Sequence, residues 1–232
     1  MKLLIENWNK FLNEEDSALK TIFVLVGPPS VGKSTWIKNT FDETPYIINR
    51  DDIVEKVASG YGWTYDDMFA SPPQDSQVGE VDEKYGNVIE SPAWMTWQNT
   101  VFDKVLEANS KVQQIFGNRV ADAAPSGKDI VVDMTNMNAG SRKGALKAIE
   151  GADDAYKKVA VVFDFEGAEE AIQAVAQKRA EAAKRMGKSK TIPPAAFKRM
   201  FGAYQKVDPS EGFDEVVSVD NREALRQLAA AT

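Results

Sequence analysis

Residues 21–35 read TIFVLVGPPSVGKST: an apolar run stops at Gly27, passes through proline and serine, and arrives at Lys33 with two hydroxyl residues behind it. An apolar run without polar alternation suits a strand buried on both faces, which belongs in a parallel sheet. Gly27 to Ser34 fits G-x-x-x-x-G-K-[ST]. The spacing has a physical purpose: the glycines let the backbone wind closely around phosphate oxygens with several N–H groups aimed inward. Lys33 brings a cation to the outer phosphates, Ser34 offers a hydroxyl to Mg²⁺, and the helix opening here presents its positive end. Because the pattern follows a buried strand and opens a helix, the expected ligands are ATP, or another NTP, and Mg²⁺. Gly27, Gly32, Lys33, Ser34 and Thr35 would hold them.

Four more stretches repeat the strand pattern: PYIIN (45–49), DIVVDM (129–134), KVAVVFDF (158–165) and DEVVSV (214–219). Helical patterns fill 33–41, 52–58, 139–150, 167–186, 194–205 and 221–230. Strand–helix alternation predicts a parallel sheet covered by helices. The fold class is therefore α/β, a P-loop NTPase-type three-layer sandwich with about five parallel strands. Residues 1–18 are expected to form a helical extension, with Leu4, Ile5, Trp8, Phe11 and Leu12 at helical spacing. Residues 19–232 form the main domain. Within it, a helical insertion covers about 60–127 and a basic segment about 178–193. The insertion contains the loop-like SPPQDSQVGE and a long helix capped by Ser91, with Pro92 at its first position. Trp94, Trp97, Val101, Val105, Ala108, Val112 and Ile115 line one face of that helix as core.

Composition narrows the chemistry. The 232 residues include no cysteine and no histidine, which removes disulfides, thiol nucleophiles and every Ser-His-Asp triad. Proton transfer falls to a carboxylate, Lys or Tyr, and a metal would be a hard ion on oxygen ligands. The net charge of -7 argues against indiscriminate coating of nucleic acid. Its distribution is uneven: Lys178 to Lys206 holds nine Lys or Arg and one acid, while Tyr61 to Glu90 holds seven acids and one base. A basic segment on an acidic chain suggests a localised anion site. No apolar run reaches membrane-spanning length and the first residues are too acidic for a secretory signal. The expected location is the cytoplasm (the host's, for a viral chain), with no membrane partner.

Parallel strands end at one edge, so the residues just past them gather around the phosphates. PYIIN leads into Arg50, Asp51 and Asp52; DIVVDM leads into Asp133, Thr135 and Asn136. An Asp here can accept the proton of an alcohol attacking the γ-phosphorus, and orientation counts for more than basicity in a loose transition state. Asp51 is the candidate base and Asp52 the candidate cap of the next helix. Asp133 joins Ser34 as a candidate metal ligand.

These residues carry a resemblance. GPPSVGKSTW, INRDD, DMTNMN and YQKVDPSEGFDEVV together resemble the polynucleotide 5′-hydroxyl kinases, including the kinase domains of bacteriophage and animal end-repair enzymes. The resemblance spans roughly 21–219 and is thin through 60–127. It implies an ATP-dependent phosphotransferase acting on the 5′-hydroxyl of DNA or RNA, with Asp51 as general base and nucleic-acid 5′ ends as partners. It also implies that Arg50, Thr135 and Asn136 hold the acceptor. QKRAEAAKRMGKSKTIPP is similar to the family's lid: Arg179 would lie against the adenine, and Arg185, or else Lys188, would reach the transferring phosphoryl group. Two departures stand out. Where the phage enzyme has an arginine three positions after its catalytic Asp, this chain has Val54. No stretch has room for the phosphatase domain that often accompanies the kinase, and FDFEG (163–167) reads as a strand end. Two further readings stay open: a kinase of a small-molecule hydroxyl (a sugar or antibiotic) or of hydroxymethyl-pyrimidines in DNA, and a non-catalytic nucleotide-binding module.

Overall fold

A computed structural model describes residues 19–69, 80–81, 88–89, 103–188 and 190–231. The expected extension at 1–18, the Ser91 cap, Trp94, Trp97, Val101 and residues 71–79 of the expected loop lie outside these. The chain divides into two compact units. The first takes residues up to Arg50, Gly117–Ala182 and everything from Thr191; the second takes Asp51–Phe116 and Ala183–Lys190.

The first unit is built on a five-stranded, all-parallel sheet. Its strands are β1 (Lys20–Val26), β2 (Tyr46–Ile48), β5 (Ile130–Val132), β6 (Tyr156–Asp164) and β7 (Glu215–Asp220), in the order β2-β5-β1-β6-β7. All five expected strands are present. β1 lies at the centre because its side chains can be buried on both faces: Ile22 through Val26 are each wholly buried. In β7, at the edge, half-buried and exposed positions alternate, as a strand covered on one face requires. Residues on one face of the sheet, among them Phe23, Leu25, Val131, Val161 and Phe163, form a single apolar cluster with Ile172, Val175, Phe197 and Leu225. These last four come from helices α5 (Glu169–Arg185), α6 (Pro194–Gly202) and α7 (Arg222–Ala230). Trp36, on α1 (Lys33–Thr40), sets its ring edge-on against Phe23, Phe41 and Phe163.

Two boundaries differ from expectation for physical reasons. The helix expected over 52–58 is α2, Arg50–Gly60. Asp52 therefore lies inside the first turn, where an acid stabilises the positive helix end, and is not its cap. The helix expected over 139–150 is α4, Ala139–Ala145, opened by a reciprocal capping box between Asn138 and Ser141, and it tightens into a 3₁₀ turn at Leu146–Ile149.

In the second unit, α2 from Asp51 onward and α3 (Asp103–Ala121) up to Phe116 bury Ile53, Val54, Val57, Ala58, Ala108 and Val112 together with Met68 of a 3₁₀ turn, Asp66–Phe69. A short antiparallel pair, β3 (Glu80–Val81) and β4 (Val88–Ile89), belongs to the same unit.

Candidate active site

The loop between β1 and α1 has the close backbone approach that its glycines anticipate. A Cβ on Gly27 would come 3.1 Å from the Cβ of Phe163 and 3.2 Å from Val31 Cγ1. Gly32 has φ +108, a left-handed backbone, and a Cβ there would meet Asn221 Nδ2 at 2.8 Å. Asn221 is engaged: its Nδ2 donates to the Val31 carbonyl at 3.2 Å, so the start of α7 braces the loop. Gly32, at the N-cap of α1, makes no side-chain cap hydrogen bond, so the N–H groups of that turn suit an anionic ligand. Lys33 bends back over the loop and donates from Nζ to the carbonyls of Gly27 (2.9 Å) and Pro28 (2.8 Å). The loop thus has room where a Cβ would intrude, a cation at its rim and an uncapped helix start, a set that fits a polyphosphate. Replacing Gly32 by Ala should weaken ATP binding by roughly 1–3 kcal/mol, the cost of a strained backbone, with the Asn221 brace displaced as well. Isothermal titration with ATP measures it.

On one side of β1, the end of β5 is tied to the loop and the end of β2 is tied to the end of β5. Gly27 N donates to the Thr135 carbonyl at 2.9 Å. Asn49, just past β2, donates from Nδ2 to Asp133 Oδ2 at 3.1 Å, joining the ends of β2 and β5. Asp133 is 9% exposed, and Ser34 is exposed in the first turn of α1. A carboxylate and a hydroxyl are both hard-oxygen donors of the kind Mg²⁺ takes alongside phosphates and waters. Asn136 is different from what the sequence led us to expect. It is 1% exposed, has φ 45, and its Nδ2 donates to the carbonyls of Leu25 (2.8 Å) and Val132 (3.5 Å). In this arrangement its amide group braces β1 and β5. Its buried Oδ1 has no protein donor among the described residues, which suits an ordered water or a ligand donor.

Behind this loop lies a buried ionic hub that sequence reasoning missed. Arg142 of α4 is fully buried, and its guanidinium makes five hydrogen bonds. Nε and Nη2 grip Glu211 at 2.6 Å each; Nη1 reaches the carbonyls of Asn136 (3.2 Å) and Gln205 (3.0 Å), and Nη2 that of Lys206 (3.3 Å). The family-like tail thus works as a strap. Glu211 holds Arg142, Pro209 opens a 3₁₀ turn capped by Asp208, Gly212 takes φ 86, and Tyr204 sets its ring against Phe165 at 4.8 Å. The Arg142 hydrogen bonds, partly opposed by burial, hold the Glu211 carboxyl below its ordinary range. Burial first, then the charges of Glu166 and Asp164, keeps the Tyr204 phenol above its own.

In the second unit, Asp51 sits half exposed at the start of α2 with both carboxylate oxygens engaged. Tyr65 OH donates to Oδ1 at 3.1 Å, and Lys190 Nζ lies 3.3 Å from Oδ2. Lys190 also bonds Glu55 Oε1 at 2.8 Å, and its Nζ lies 4.7 Å from the centre of the Tyr65 ring. Burial alone would depress the Lys190 ammonium; the bond to Glu55 and the charges of Asp51 and Glu55 outweigh it, and the net shift is upward. Neither Tyr65 nor Lys190 stood out in the sequence. The signal for Lys190 was its place in the basic run, and only the fold of the segment singles it out. The same fold explains Val54: it is 1% exposed, packed among Met68, Ala108 and Val112, where a charged side chain has no room.

The residues expected to form a lid divide between the units. Arg179 is exposed on α5 in the first. Arg185, the last residue of that helix, and Lys188 are exposed in the second, on either side of Gly187, whose φ of 73 ends the helix. Arg50 is partly buried at the start of α2.

A family model described as an AAA domain matches residues 22–207, more than half of the chain. The chain belongs to the AAA domain family. No curated protein matches it. Among solved structures, this AAA domain is similar to a "putative kinase" from Chloroflexus aurantiacus J-10-fl, with 10% identity, 92% of this chain and 94% of that chain covered, and a TM-score of 0.48. It is also similar to a chain of the PezAT chromosomal toxin–antitoxin system of Streptococcus pneumoniae, at 9% identity, 95% and 78% coverage and a TM-score of 0.47. Among the described residues of this AAA domain, no helix is long and apolar enough to cross a membrane.

Proposed function

We propose that this AAA domain is an ATP-dependent kinase that transfers the γ-phosphoryl group to the 5′-hydroxyl of a DNA or RNA end. The observation that carries the reading is Asp51. This carboxylate follows directly on Arg50 past the end of β2, and is held at both oxygens by Tyr65 and Lys190. A carboxylate fixed in this way is oriented to accept a proton, and orientation is what a late proton transfer requires. Ser34 and Asp133 would hold magnesium, which would supply charge neutralisation to the phosphates. Lys33 binds the outer phosphates, Thr35 and the glycines shape their cradle, and Arg179 lies against the adenine. Arg50 and Thr135 hold the acceptor. Asn136, buried as it is, acts through the loop that carries Thr135. Asp51 takes the proton as the acceptor oxygen bonds to phosphorus and the bond to the ADP oxygen breaks, with Arg185 countering the charge on the equatorial oxygens.

A second reading, a kinase of a small-molecule hydroxyl, is favoured by Val54, which leaves a core residue where the phage enzyme has an arginine. One assay separates the two: γ-labelled ATP offered to 5′-hydroxyl oligonucleotides, nucleoside 3′-monophosphates and small alcohols. The expected result is a labelled oligonucleotide whose labelling is suppressed by unlabelled oligonucleotide and unaffected by sugars. Label on small alcohols alone would replace the first reading with the second.

A further inference from the structure

The turn Asp66–Phe69 uses its two large apolar residues in opposite ways. Met68 is 1% exposed and anchors the turn in the core of the second unit; Phe69 is 53% exposed and takes no part in that core. Its ring instead leans on Tyr65, with centroids 5.0 Å apart and planes 43° from parallel. The neighbouring pair Tyr61 and Trp63 is a contrast. Those rings stack at 5.0 Å and pack against the core, with Lys111 over Tyr61 and Glu107 accepting from its hydroxyl, so their surfaces are spent internally. Phe69 leaves an aromatic surface in solvent one tyrosine ring away from Asp51, since Tyr65 OH donates to Asp51 Oδ1 at 3.1 Å.

We propose that Phe69, backed by Tyr65, is the stacking platform for the base of the acceptor's terminal nucleoside. The inference rests on the reading of Asp51 as the base. An acceptor hydroxyl within hydrogen-bond reach of Asp51 places the rest of its nucleoside alongside Tyr65, and a flat ring extending from there meets Phe69. Every base has a π-face, so such a platform selects for a base without selecting which one. It would also favour a nucleoside over a simple alcohol, which is the discrimination that the missing arginine at position 54 does not provide.

The test uses the full chain and two 5′-hydroxyl oligonucleotides that differ only at the first residue, thymidine in one and an abasic sugar in the other. Wild type should phosphorylate the thymidine-ended strand with the higher kcat/KM. Phe69→Ala should lose about ten- to hundred-fold on that strand, the range seen when a stacking side chain is removed. It should leave the abasic strand and the KM for ATP unchanged, and Phe69→Trp should restore the preference. Equal use of both strands by wild type, or an equal loss on both in Phe69→Ala, overturns the platform. Transfer to neither strand means that the polynucleotide reading has failed. Fluorescence anisotropy of the same two strands then decides the platform by itself: binding that depends on both the base and Phe69 keeps it, and binding indifferent to either overturns it.

Discussion

Replacing Asp51 by Asn should lower kcat for transfer to a 5′-hydroxyl oligonucleotide by about 10²–10⁴-fold, the usual contribution of a positioned general base, while the KM for ATP stays near wild type. On the proposed reading, the substitution isolates the proton transfer. Asn keeps an oxygen to accept from Tyr65 OH, and Lys190 keeps Glu55 at 2.8 Å, so the local scaffold survives. The lost ion pair is half exposed, and pairs of that kind contribute about 0–1 kcal/mol. The unfolding midpoint should therefore scarcely move, and steady-state kinetics paired with urea titration reads both quantities. Near-normal transfer by the variant would remove Asp51 from the role of base. Lys190→Met is the companion measurement. It frees Oδ2 of Asp51 from its cation, and the loss should fall on kcat for the acceptor reaction, with Lys190→Arg recovering part of it.

Arg142→Ala should destabilise the fold by about 3–5 kcal/mol, because it leaves one member of a buried ion pair uncompensated. The guanidinium is fully buried and satisfies the Glu211 carboxylate together with the carbonyls of Asn136, Gln205 and Lys206. Without the side chain the Glu211 carboxylate keeps the Asp208 N–H on Oε1, at 2.9 Å, but loses both bonds to the guanidinium, and the three carbonyls lose theirs. Glu211→Gln should cost less, since it keeps an acceptor oxygen. The same pair has a pH signature. Arg142 holds Glu211 below the ordinary glutamate value of 4.5, so its contribution is complete above that value and is lost as the pH falls through the folded one. Urea midpoints followed from neutral pH downward should fall on the acid side in wild type and more shallowly in Glu211→Gln. Equal acid limbs would mean that the pair contributes nothing through ionisation.

Much of the molecule is legible in local pattern. TIFVLVG and DIVVDM are short apolar runs and each holds a buried parallel strand, whereas PYIIN, which carries the same pattern, is an edge strand with only Ile48 buried and Tyr46 and Ile47 half-buried. Gly27 and Gly32 were readable for the same reason: a left-handed turn or a close approach leaves few other residues possible. Boundaries were less legible. Asp52 had the chemistry of a cap, yet the helix begins two residues earlier, at Arg50, and takes both acids into its first turn. Asn136 had the polarity of a ligand-binding residue, yet it is buried with its Nδ2 on the carbonyl of Leu25, 111 positions away in the chain, which leaves only Oδ1 without a protein donor among the described residues.

The sequence alone determines the parallel α/β architecture, the phosphate-binding loop and the positions past each strand end where chemistry can collect. These follow from periodicity and from the backbone demands of neighbouring residues, which are local properties. Only the tertiary structure decides that Lys190 rather than Arg185 or Lys188 meets Asp51, that Val54 is core, and that Arg142 and Glu211 find each other across 69 positions. Charged side chains choose partners by distance and desolvation after the chain has closed on itself, and no spacing along the chain encodes that choice.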